Sequence, residues 1–437
     1  MKIKLSNGDI YEGEVNAQND AHGYGTYTSL KGVVYQGEWV NGVMQGRGRL
    51  TMPDGSYYDG DFANDKYNGK GVLYHNADNY YKGDFVDGVF CGQGEMHYDD
   101  GTVYVGQWKD DMRNGKGKLT TVGGDVYEGD FANDNFDGKG KLSFNDGGYY
   151  EGDFVGGVFC GQGEMHYANG IVYVGQWKDN NFHGKGKYVY SKESYYEGDF
   201  VDGTICGQGG RRYSNGFFYK GSWCNDKMNG HGKLFFPDGA ICEGEWNDGV
   251  INGFGTYTCT DGRLYEGNFV DGKFNGQGML RFPDGTYYVG QFRNNIFDGE
   301  GKIVSCDGSS YEGGCRNGKR NGYGRLCLKD GPVLEGEWID DELNGKGKIV
   351  WAENNYYVGD IVDGVIHGEG KFYYPGGVFV GRWVCGERNG YGELIKENGE
   401  VYRGYWTDQQ NATSVLFTDV NGDTLRGKIV NDEFVAD

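Results

Sequence analysis

A 23-residue period runs through nearly the whole chain, and it constrains the fold more than any other feature. The stretch at residues 265–287 reads YEGNFVDGKFNGQGMLRFPDGTY: aromatic-x-Gly-x-aromatic, then Gly-x-Gly, then Pro-Asp-Gly. Tyr288 begins the phrase again with YVGQFRNNIFDGEGK. Full units open at Tyr11, Tyr35, Tyr58, Tyr81, Tyr104, Tyr127, Tyr150, Tyr173, Tyr196, Tyr219, Cys242, Tyr265, Tyr288, Tyr311, Leu334, Tyr357 and Phe379, which makes 17, each keeping its Gly-x-Gly. The first carries one extra residue and the unit at Tyr357 is one short. A fixed period of this length marks a repeat architecture.

The unit reads as a β-hairpin. In a strand, alternate side chains share a face, so Tyr265, Gly267 and Phe269 lie together while Glu266 and Asn268 point the other way. The glycine leaves room for a ring to cross the backbone. A second strand over 278–282 alternates likewise, and Pro283-Asp284-Gly285 suits a tight turn. Four of the five prolines (Pro53, Pro237, Pro283, Pro375) stand at this position, outside every expected strand. The other link, 270–276, reads as a longer loop whose Phe274 tucks under the sheet edge. A lone hairpin is marginal in water, so the units must stack edge to edge. The expected fold is all-β: an elongated single-layer antiparallel sheet of stacked hairpins, a twisted rod of roughly 160 Å at about 4.8 Å per strand.

No linker or composition shift interrupts the array. Residues 1–10 read as a half-unit cap, 11–401 as the array, and 402–437 as a degenerate unit with a C-terminal cap. Residues 58–126 and 127–195 repeat as three-unit blocks, a duplication that bears on history more than function. With 84 Gly, 36 Tyr and only 5 Pro, the chain has neither a collagen period nor the composition of disorder.

Charge and motif content narrow the function classes. The net charge is -22 at pH 7, which repels nucleic acid and disfavours anionic membrane. The N-terminus lacks an apolar signal region and no run reaches transmembrane length. Ten cysteines are scattered without a CxxC pair and read as reduced thiols, so the expected compartment is the cytoplasm. Gly-x-Gly at a regular period with strands on both sides is structural rather than a phosphate loop. Asp419-x-Asn421-Gly422-Asp423 places its glycine wrongly for a calcium loop and lacks the closing Glu. The seven histidines fall in different units, without ligand spacing. The expectation is no enzyme, no cofactor and no metal.

Y-x-G-x-W/F, then Gly-x-Gly, then D/N-G at a 23-residue period resembles the MORN repeat (membrane occupation and recognition nexus), over essentially the whole chain. Departures are local: Cys242 and Leu334 at the first aromatic, Val15, Cys315 and Ile361 at the second. Proteins similar to this one include radial-spoke-head components of cilia, cytoskeletal scaffolds of protists and junction proteins at the plasma membrane. In others the array precedes a kinase or methyltransferase domain, for which the 17 units leave no room. The resemblance implies binding of a partner helix along a groove, dimerisation through a terminus, or phosphoinositide binding.

Two surfaces stand as candidates. One is the aromatic face, with Trp39, Trp108, Trp177, Trp223, Trp246, Trp338 and Trp383 beside the opening tyrosines, as a groove for a helical or extended protein partner. The other is the Gly-Lys-Gly-Lys pattern: Lys116, Lys118, Lys139, Lys141, Lys185, Lys187, Lys346 and Lys348. These lysines either meet lipid head groups or pair across strands with acids such as Glu128 and Asp130. The leading expectation is a non-enzymatic scaffold or spacer in a cytoskeletal or ciliary (axonemal, radial-spoke-like) assembly. A peripheral tether reading anionic lipid and a regulatory subunit of a separate enzyme are the alternatives. A homodimer through the C-terminal end completes the partner expectations.

Overall fold

Glycine and tyrosine fix how one rung is built. The structure, a computed structural model, describes residues 1–437, and every regular element in it is a strand, from Lys2–Lys4 to Glu433–Ala436. The 39 strands form one open antiparallel sheet of successive hairpins, not closed into a barrel. Two compact units divide it: Met1–Gly216 with Trp223–Asp226, and Phe217–Ser222 with Lys227–Asp437.

Within the second unit, strands Leu264–Val270 and Lys273–Arg281 make a typical rung. Tyr265 faces Leu280, Gly267 faces Gly278, and Phe269 faces Phe274, with a register shift between Gly267 and Phe269. Gly278 then faces Gly290 of the next rung, and Gly290 faces Gly301, so glycine runs as a row across the strands. In the first unit the same pattern pairs Tyr127 with Leu142, Gly129 with Gly140 and Phe131 with Phe136.

The link expected at 270–276 is not a loop. Val270 pairs directly with Lys273, leaving Asp271 and Gly272 as a two-residue turn with φ of 49° and 76°. Both values suit the type I′ turn that matches strand twist. Phe274 therefore lies inside a strand, and its ring stacks on Tyr265 at 3.7 Å and 9° instead of tucking under an edge. Asn268 alone stands opposite Asn275, Gly276 and Gln277, and Gly276, with φ of 69°, sits at the centre of the bulge that absorbs the two surplus residues. The turn also binds the neighbouring rung: Gly272 N–H donates to Ile251 O at 3.0 Å. At the other end, Gly285 takes φ of 92° and its N–H donates to Phe282 O at 3.1 Å.

The chain ends repeat the logic in reduced form. Lys2–Lys4 pairs with Ile10–Val15. In the tail, Val415 stands where a glycine would and faces Gly427, and Glu433–Ala436 adds a last strand beyond Thr424–Val430.

Candidate interaction surfaces

The aromatic face is closed by its own rings. All fourteen opening tyrosines are 0–3 % exposed, and each hydroxyl donates to the carbonyl three residues on, at 2.6–3.1 Å. The ring reaches that carbonyl by lying over the glycine pair: a Cβ on Gly278 would sit 2.6 Å from Tyr265 Oη and 2.7 Å from its Cε2. Burial pushes the phenols up, Tyr104 and Tyr265 to about 12. The second aromatic meets the first edge-on, as Tyr104 meets Trp108 at 5.2 Å and 88°, the geometry that ring quadrupoles favour.

The seven tryptophans singled out by sequence are only 2–8 % exposed. Trp39, Trp108, Trp177, Trp223, Trp246 and Trp338 donate Nε1–H to a glycine carbonyl of the preceding rung, at 3.0–3.3 Å. Trp383 Nε1 is buried without a partner. A partner can therefore touch these rings only where the face opens beside them. One such opening, a hollow of about 480 Å³ in the second unit, includes Trp246 in its lining.

The opposite face is polar and floored by the glycine row. Its lysines stand in cross-strand ladders: Lys116 lies 2.7 Å from Asp130, Lys139 2.6 Å from Asp153 and Lys141 3.1 Å from Glu151. Lys185 lies 2.6 Å from Asp199, Lys187 3.1 Å from Glu197 and Lys346 2.5 Å from Asp360. Lys118 faces Glu128 in register. Lys348 faces Val358, and its Nζ sits 4.8 Å from the Tyr356 ring. Lys116, Lys118, Lys139 and Lys141 share a hollow of about 920 Å³ with Glu128, Glu151 and Glu164, so alternating charge lines it.

The acids of these ladders have a second task. Asp84 accepts from Lys70 Nζ at 2.8 Å and from the Gln93 N–H at 3.0 Å. The lysine bond first, then the backbone bond, hold its carboxyl below the ordinary 3.8. The same acceptor caps the bulge N–H in other rungs, from Asp130 to Lys139 at 3.1 Å and from Asp360 to Glu369 at 2.9 Å.

Sequence reasoning missed the exposed aromatics. Tyr24, Phe254, Tyr323 and Tyr391 stand at the centre of Gly-x-Gly and are 53–59 % exposed. Tyr405 lies on the same face, its ring 5.6 Å from Tyr391. Trp351 is exposed near a hairpin tip, off the repeat register. The Gly-x-Gly phase was the available signal: its central residue faces away from the opening tyrosine. No group of three His, Cys, Asp or Glu side chains converges. Burial pushes the Cys242 and Cys315 thiols up to about 12 and about 11, which opposes nucleophilic use.

A sheet whose glycine row lies under tyrosine rings, rung after rung, defines a β-hairpin repeat protein. The sequence model of the MORN repeat matches the chain 17 times in succession, at residues 11–33, 35–57, 58–76, 81–103, 104–126, 127–149, 150–172, 173–195, 196–217, 219–241, 242–262, 265–287, 288–310, 311–333, 335–356, 357–378 and 379–401. The chain belongs to the MORN repeat family. No curated protein matches it. Among solved structures it is similar to the TCP domain of Drosophila melanogaster SAS-4 (dCPAP) in complex with a proline-rich motif of Ana2 (dSTIL), at 15% identity over 40% of this chain and 90% of that one, TM-score 0.25. The G-box domain of the microcephaly protein CPAP aligns at 13% identity over 52% and 100%, TM-score 0.18. A streptogramin B lyase aligns at 12% over 75% and 94%, TM-score 0.11. Scores this low carry no functional argument.

Proposed function

We propose that this chain is a non-enzymatic scaffold or spacer that binds protein partners along its array, within a cytoskeletal or ciliary assembly. One observation carries the reading. What the rungs share is consumed in stacking, and what differs between them faces solvent. The opening tyrosines are buried and bonded, whereas the centre of every Gly-x-Gly is exposed. That centre changes from Tyr24 to Arg47, Lys70, Gln93, Phe254, Glu300 and Tyr391. A row of fixed spacing with rung-specific side chains supports recognition of an extended or helical segment, and exposed aromatics are common anchors of such contacts. The repeat family supports a scaffold, and no catalytic family is indicated.

Two experiments separate the alternatives. In liposome sedimentation with and without phosphoinositide, the scaffold reading expects the protein in the supernatant. Salt-sensitive pelleting through the ladder lysines would replace it with the membrane tether. Purification of the tagged protein from its own cell under mild detergent is expected to retain structural proteins of a cilium or cytoskeleton. A stoichiometric enzyme would make the chain a regulatory subunit instead. Sedimentation equilibrium of the full chain and of a variant altered at Glu433–Ala436 tests the proposed homodimer.

A further inference from the structure

Four tyrosines of the polar face each carry a cation of their own chain. Arg49 lies over the Tyr57 ring at 4.1 Å, Lys141 over Tyr149 at 3.9 Å, Lys187 over Tyr195 at 4.7 Å and Lys348 over Tyr356 at 4.8 Å. The quadrupole of a ring face attracts positive charge in this way. Tyr323, on the same face of the second unit and 59 % exposed, carries none. Its hydroxyl donates to Glu335 Oε1 at 2.7 Å, and its partner in register is Glu337. The ring is therefore held among acids with one face uncovered.

The space beside that face is open because the neighbouring strand has no side chain there. Gly314, in Ser310–Arg316, stands alone opposite the bulge residues Asn321, Gly322 and Tyr323. In the two preceding rungs Asn268 and Gln291 hold this position. A Cβ on Gly299 would sit 2.8 Å from Gln291 Cδ, whereas a Cβ on Gly322 would meet nothing within 4 Å. On its other side Gly314 faces Glu300, so Tyr323 and Glu300 bound a slot two strands wide, about 10 Å. The slot opens into a hollow of about 800 Å³ floored by Gly301, Gly313 and Gly324. Two cations line the hollow. Lys302 lies 3.5 Å from Glu312, and Arg325 stands in register with both Glu312 and Glu335. Glu300 and Glu337, both exposed, are left without an ion-pair partner on either side of the ring.

We propose that this slot receives an arginine side chain of a partner protein, its guanidinium stacked on Tyr323 and its charge met by Glu300 and Glu337. The planar guanidinium stacks on rings and sheds water more readily than an ammonium, and arginine is a frequent anchor of protein interfaces. A net charge of -22 favours approach of a basic segment. The proposal deepens the scaffold reading and rests on it.

The test titrates N-acetyl-glycyl-arginyl-glycinamide into the full chain while following the Gly314 and Gly322 amide N–H signals by NMR. Saturable binding is expected, with Kd about 1 mM or tighter. The same peptide with citrulline, which keeps the shape and removes the charge, is expected to bind at least about fivefold more weakly. Tyr323→Ser is expected to weaken the arginine peptide by at least about fivefold, and Glu300→Gln by about twofold. Glu300→Gln carries the comparison if Tyr323→Ser does not fold. Absence of saturable binding to the wild type overturns the proposal. So does equal binding of the citrulline peptide, or unchanged binding to whichever folded variant is measured. Spermidine binding more tightly than the arginine peptide would make the slot a polyamine site and equally overturn it. A silent slot leaves the scaffold reading standing, because pelleting and co-purification test that reading without this site.

Discussion

At the scale of single residues, each opening tyrosine does two jobs, and substitution separates them. The hydroxyl ties the ring to its own strand, 2.7 Å from Asn268 O in the rung at Tyr265. The ring covers Gly267 and Gly278. Tyr265→Phe removes only the bond and is expected to cost about 1 kcal/mol. Tyr265→Ala opens a cavity among Phe269, Phe274 and Phe292 and is expected to cost about 3–5 kcal/mol. Urea denaturation of the two variants checks the ratio; equal costs would mean that the ring's packing contributes little. Glycine divides the same way. Gly278 is needed for space, since its Cβ would meet the Tyr265 ring, and Gly278→Ala is expected to cost about 3 kcal/mol. Gly285 is needed for its φ of 92°, with nothing within 4 Å of its Cβ, and Gly285→Ala is expected to cost about 1 kcal/mol. The reverse order, measured by the same denaturation, would refute this division.

At the scale of the hairpin, the capped bulge makes stability depend on acid. Asp84 is held below its ordinary 3.8 by Lys70 and the Gln93 N–H. A depressed carboxylate contributes stability above the unfolded value and loses it as pH falls through the folded one. Asp84→Ala is therefore expected to lower stability at pH 7 by about 1–2 kcal/mol. The difference from wild type should shrink below pH 4 or so. Parallel melting curves at the two pH values check this, and a difference that stays constant into acid would contradict it. The hairpin is also where reading the sequence succeeded and failed for physical reasons. Period and alternation placed Tyr265, Gly267 and Phe269 on one face, because those depend only on strand geometry. The turn was misplaced because Gly276 looked like a loop residue, while Asp271-Gly272, a strong signal for a two-residue hairpin, passed as part of the same loop. The lysine ladders follow from alternation and register, and the structure pairs six of the eight lysines with acids. The exposed centres of Gly-x-Gly and the slot over Gly314 were not legible. Both depend on which space neighbouring rungs leave open, and no single rung contains that information.

Across the whole molecule, repetition multiplies one titration until it governs behaviour in base. Thirteen opening tyrosines have phenols raised above the ordinary 10.0, in each case chiefly by burial. Their sign is opposite to that of Asp84. The folded state keeps the phenolic proton more tightly than the unfolded chain does, so the stabilisation is complete below pH 10.0 and is lost as pH rises toward the folded values. Every phenol that the unfolded chain ionises and the folded chain does not adds about 1.4 kcal/mol per pH unit to the slope. In a repeat array, where each rung leans on its neighbours, the losses add along the sheet. Stability is expected to change little between about pH 7 and 9 and then to fall steeply above pH 10. Phenolate absorbance and far-ultraviolet circular dichroism should move together, because most of these rings cannot ionise without leaving the glycine row. A smooth rise in phenolate absorbance while the β signal stays intact would mean that the rings titrate in place. Burial of the phenols would then not be what opposes their ionisation in the folded sheet.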